Sequence, residues 1–171
     1  GLGESLKNAL KIEKWCKEQF EGKEIFKGRL PSSEAENEEE KKLGEKLGNI
    51  RKKMKQYEGQ EIVDIQNEED RKILEIINRL DREYGLGKTL KNALKIEKWC
   101  EEKYGEKEIY ERRLPSSIAE NEEEKKLGRA LNKIRTKMNQ YEGQGIADIQ
   151  NEEDRKILEI INRLDREYGL G

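Results

Sequence analysis

The stretch DIQNEEDRKILEIINRLDREYGLG stands at 64–87 and again, letter for letter, at 148–171. Within it Ile73, Ile76, Ile77, Leu80 and Tyr84 recur at intervals of three and four, the spacing of one helix face. Asn67 followed by Asp70 supplies an N-cap ahead of that stripe. Gly85 stands where a left-handed C′ residue belongs, with Leu86 as the apolar contact of a Schellman ending. The segment predicts a capped amphipathic helix, written twice at an offset of 84 residues.

The same offset superimposes what lies upstream. KNALKIEKWC at 7–16 returns at 91–100, RLPSS at 29–33 returns at 113–117, and AENEEEKKLG at 35–44 returns at 119–128. Self-similarity at a fixed period marks a tandem repeat. The expected fold class is all-α: two tandem three-helix bundles, with units at 1–84 and 85–168. The residues at 169–171 then open a truncated third unit of a longer array, or of a sequence built to that plan. The short join predicts a rigid or semi-rigid tandem rather than beads on a flexible string.

Within one unit, Ser5 (Thr89 in the second copy) is the expected N-cap of a first helix running to about Gln19. Leu6, Ala9, Leu10, Cys16 and Phe20 share its apolar face, which Ile12 and Trp15 widen. In the extended stretch that follows, Pro31 biases Leu30 away from helix, and Ile25 and Leu30 are expected to seal the bundle end. Leu43, Leu47, Ile50, Met54 and Tyr57 define a second helix, with a capping box from Asn37 and Glu40 or from Ser33 and Glu36. Gly59 stops it, and Ile62 and Ile65 bridge to the third helix.

Charged residues make up 43% of the chain and apolar ones 32%, a balance that suits small helical units with solvated faces. Helical spacing of the apolar residues argues against disorder. The net charge of −2 creates no global basic field, so a nucleic-acid partner would have to meet a local patch. No apolar run approaches the roughly 18 residues of a membrane span, and no secretory leader is visible, so a cytoplasmic protein without a membrane partner is expected. Absence of histidine removes most acid–base, nucleophile-activating and zinc constellations. Cys16 and Cys100 occupy one repeat position on an apolar face and read as core thiols. The acidic run at 64–70 has no central glycine and does not match a calcium loop. The expectation is a protein that is not an enzyme and takes no cofactor, metal or small-molecule substrate.

Trp15, Pro31-Ser32, Leu43-Gly44, Arg51, the Ile62 and Ile65 bridge and Tyr84-Gly85 follow one another in an order that resembles the bacterial helicase-associated domain. Trp99, Pro115-Ser116, Leu127-Gly128 and Arg135 repeat it. That family is a small three-helix module, often in tandem, and is thought to bind nucleic acid. The resemblance implies that class of function and no reaction.

Residue chemistry suggests where contact would fall. One flank of the second helix carries Gly44, Gly48, Arg51 and Lys55, and in the second copy Gly128, Asn132, Arg135 and Asn139. Small residues beside an arginine let another backbone approach while the guanidinium grips it, and a phosphodiester strand is such a backbone. Arg29, Lys42, Lys52 and Lys53 add positive charge, as do Arg112, Arg113 and Lys126 in the second copy. Phe26, Tyr57, Tyr110 and Tyr141 offer stacking if exposed. The replacements Gly48/Asn132, Lys52/Thr136, Lys55/Asn139 and Gly28/Arg112 lie near this flank, and asparagine reads adenine where glycine cannot. The expected function is a tandem module for nucleic acid, duplex DNA before RNA, acting through the second helix and the RLPSS loop. The alternative is a protein-binding or structural array in which charges complement helix dipoles and the glycines admit a neighbouring helix.

Overall fold

Each apolar stripe in the sequence is a helix in the structure, a computed structural model that describes residues 2–170. Gly1 lies outside the described residues, as does Gly171 at the end of the expected third-unit fragment. The first unit contains α1 (Glu4–Phe20), α2 (Glu38–Met54) and α3 (Glu68–Glu83), and the second α4 (Lys88–Tyr104), α5 (Glu122–Met138) and α6 (Glu152–Tyr168). The protein is all-α, two three-helix bundles, with no strand among the described residues. None of the described helices is long and apolar enough to cross a membrane.

The chain divides into Gly1–Leu86 and Gly87–Gly171, two residues beyond the boundary expected from the repeat. The shift has a local cause. The Gly85 N–H still donates to the Leu80 and Asp81 carbonyls of α3, both at 3.1 Å, whereas Gly87 is already the N-cap of α4. Gly85 is not in the left-handed region, so the expected Schellman ending does not form; positive φ among the described residues belongs to Gly22, Gly59 and Gly143. Gly59, at φ +86, does end the second helical segment, after a 3-10 turn at Lys55–Tyr57.

In each unit the first helix packs along both others, α1 against α2 and α3, and α4 against α5 and α6. Ala9, Ile12 and Cys16 therefore sit at the centre of the core, with Leu43, Leu47 and Ile50 on one side and Ile73, Ile77 and Leu80 on the other. Leu10, expected in that face, is exposed at its margin. Ile25 is also exposed, in a 3-10 turn at Ile25–Lys27 where an extended chain was expected; Leu30 alone packs against the core. Burial pushes the Cys16 and Cys100 thiols up to about 12, which leaves them protonated and unreactive at neutral pH.

Asn37 and Asn67 cap α2 and α3 as the sequence predicts, each accepting from the backbone N–H three residues on at 2.9 Å. Ser5 and Thr89 do not cap. The N-caps of α1 and α4 are Gly3 and Gly87, whose N–H groups donate to the carboxylates of Glu69 (2.7 Å) and Glu153 (2.9 Å) on the third helix of each unit. A capping acceptor 66 residues away leaves no local signal.

Candidate nucleic-acid interface

The RLPSS loop is held down by an ion pair. Glu40 was expected to reach back and close a capping box. Its carboxylate instead turns into the unit, is buried, and accepts from the Arg29 guanidinium and from the Ser32 N–H at 3.0 Å. Arg113, Glu124 and Ser116 repeat the arrangement. Arg29 lies over the Trp15 ring at 5.6 Å, and Arg113 over Trp99 at 5.8 Å.

This clamp lays the loop across Gly44. A Cβ at Gly44 would stand 2.3 Å from Ser32 C and Ser33 N, and one at Gly128 would meet Ser116 and Ser117 in the same way. The backbone that these glycines admit is the chain's own, so Gly44 and Gly128 are buried and offer nothing to a ligand.

Hydrogen bonding from Arg29 holds Glu40 below the usual carboxylate range in spite of its burial, and Arg113 does the same for Glu124. A depressed folded-state pKa contributes stability above the unfolded value of about 4.3 and loses it as pH falls through the folded one. The melting temperature is therefore expected to fall as the pH drops below about 4.3. Glu40→Gln with Glu124→Gln should flatten that limb, and an unaltered limb would mean that the clamps do not titrate with folding.

The other expected contact residues are dispersed. Arg51 grips Asp81 of α3 through both terminal nitrogens, at 2.7 and 3.2 Å, and Arg135 grips Asp165 of α6 at 2.7 and 3.1 Å. These arginines tie helices together. Arg112 donates to the carbonyls of Lys107 (2.9 Å) and Gly105 (3.2 Å) and lies over Tyr168. Lys42, Lys52 and Asn132 are exposed, as are Lys55 and Asn139 at the C-caps of α2 and α5. Gly48 is open, with no atom within 4 Å of a Cβ placed there. The Tyr57 and Tyr141 hydroxyls donate to Asp70 and Asp154, which leaves Tyr110 as the exposed ring.

A cationic surface does exist, on the opposite flank of the second helix. In unit 2, Lys126, Arg129 and Lys133 line successive turns of α5 facing α4, and Lys88 stands across from them at the start of α4. Thr89, Asn92 and Ala130 line the groove between them, over the buried Ile134. All four cations are exposed. In unit 2, Lys98, Arg113, Arg135, Lys156 and Arg163 join ion pairs; among the described residues none of the four groove cations does. Lys137 extends the row, 3.5 Å from Thr89 Oγ1.

Comparison with models of protein families, with curated proteins and with solved structures finds no match to this chain. The groove has to be understood from its own chemistry.

Of its cations only Lys126 was among the residues singled out from the sequence. The signal for the others lay in the repeat: Glu4, Glu45 and Asn49 of the first copy are Lys88, Arg129 and Lys133 in the second. Lys88 also breaks a local rule. The other five α-helices have an acidic residue in the first turn, and α4 has none. A lysine is unfavourable at the positive end of a helix dipole; the Glu153 carboxylate, which accepts from the Gly87 N–H, is the anion that meets that end of α4.

Proposed function

We propose that the chain is a non-enzymatic tandem module that binds the phosphate backbone of duplex DNA, with the α4/α5 groove of the second unit as the contact. The observation that carries the reading is the set of exposed, unpaired cations Lys88, Lys126, Arg129 and Lys133 around one groove. The resemblance to helicase-associated domains supports the same class of partner. Positions 126 to 133 cover about 10.5 Å of helix axis, a row suited to following a charged backbone. The groove contains no aromatic side chain, so it has no stacking platform for single strands. Lysine and arginine on phosphates position a protein without reading sequence, so binding is expected to tolerate many sequences.

Replacing Lys126, Arg129 and Lys133 by glutamine should weaken duplex binding on the order of a hundredfold at moderate salt. It should also flatten log K against log salt by about 0.9 for each phosphate no longer gripped. Arg51→Ala with Arg135→Ala, which breaks the ties to Asp81 and Asp165, should lower the melting temperature and leave the salt slope alone. Titration against duplex DNA, duplex RNA, single strands and an acidic peptide measures both. Unchanged affinity and slope in the glutamine variant would remove the groove from the interface, and binding of the acidic peptide alone would make the partner a protein.

A further inference from the structure

The groove has a counterpart in the first unit, between α1 and α2, and the two differ in a patterned way. Its floor is nearly constant: Asn8 stands for Asn92, Ile50 for Ile134 and Ser5 for Thr89, the last pair each receiving a lysine Nζ at 3.4 and 3.5 Å. The lysine at 42 and 126 is common to both. The rim is not. Glu4 and Glu45 occupy the positions of Lys88 and Arg129, and the neutral Asn49 that of Lys133. Among the groove-lining positions, Lys46, replaced by Ala130, is the one where the first unit is the more basic. The corresponding positions of unit 1 therefore carry Glu4 and Glu45 beside Lys42 and Lys46, whereas no acidic residue lines the groove of unit 2.

Glu4, Glu45 and Asn49 are all exposed, and exposed positions of a helical repeat tolerate many residues. Three of the four charge changes along this rim nevertheless raise its charge, and one of them places Lys88 at the positive end of the helix dipole. A carboxylate beside a phosphate backbone repels it and removes the counterion release that drives binding. Resting on the reading of the groove as a DNA contact, we infer that the two units are not equivalent. Glu4 and Glu45 exclude DNA from the first unit, and each chain holds one duplex, through the second. Glu4/Lys88, Glu45/Arg129 and Asn49/Lys133 are the positions that decide which unit binds.

Because the surroundings match, the second unit's rim can be transplanted. In the full chain, the glutamine variant at 126, 129 and 133 is expected to lose duplex binding. Adding Glu4→Lys, Glu45→Arg and Asn49→Lys to it should restore affinity to within severalfold of the original, now through unit 1. The same graft in the otherwise unaltered chain should raise the number of short duplexes bound per chain from one to two, by isothermal titration. Helical circular dichroism and a preserved melting transition exclude misfolding as the cause of any loss. Loss in the glutamine variant without rescue by the graft overturns the assignment of these three positions and leaves the groove reading intact. Two duplexes on the unaltered chain overturn it as well. An unaltered chain that binds no duplex overturns the groove reading itself, and the inference with it.

Discussion

Gly44→Ala is expected to destabilise the protein by roughly 2–3 kcal/mol or more, the upper range for forcing atoms into a packed interior. Alanine is nonetheless the better helix former, by about 1 kcal/mol at an interior position. The local preference loses because the new methyl meets the Ser32–Ser33 backbone at 2.3 Å rather than the end of a flexible side chain. To make room the loop must lift from α2, which separates the Ser32 N–H from Glu40 and loosens the Arg29 pair. Gly128→Ala should behave alike for the same reason. Gly48→Ala, one helical turn away, is the contrast. No atom lies within 4 Å of its new Cβ, so the propensity gain of about 0.5–1 kcal/mol should appear undiminished as stabilisation. Urea unfolding of the three variants measures both signs. A Gly44→Ala protein as stable as the parent would show that the loop is not fixed on α2.

Trp15→Ser should cost about 3–5 kcal/mol, the range for truncating a large buried aromatic. The indole is buried, meets Phe20 edge-on with centroids 5.8 Å apart, and carries the Arg29 guanidinium on its face. Its loss would open a cavity and remove the surface on which the clamp rests. Trp99, packed against Tyr104 and Arg113, should give a similar loss. Thermal and urea unfolding measure it. A variant that melts like the parent but falls below it in the proposed duplex titration would make this tryptophan a contact residue.

What could be read from the chain alone was local. The 3.6-residue stripes of α2 and α3, their asparagine caps and the stop at Gly59 involve groups within a few positions of one another, so backbone geometry and side-chain reach suffice. The repeat made the fold class legible in the same way, because the chain writes the same stripes twice. The same locality misled at Ser5, which has the chemistry of a cap but lies one residue inside the helix, and at Glu40, three residues beyond a real cap.

Tertiary structure decided everything that depends on a distant partner. Glu69 caps α1 across 66 positions, and Asp81 takes Arg51 across 30. Gly44 is small because a loop crosses it, and nothing in its own helix says so. The candidate site depended most on this. A helical stripe identifies the buried face of α5 but leaves two flanks alike in the sequence, one carrying Gly128 and Arg135, the other Lys126, Arg129 and Lys133. Packing turns the first toward α6 and the loop, where its arginine meets Asp165. It turns the second toward the start of α4, where Lys88 adds a like charge and no acidic residue lines the groove. Periodicity determines which residues a helix buries; which of its flanks is left charged and open is set by the helices that pack beside it.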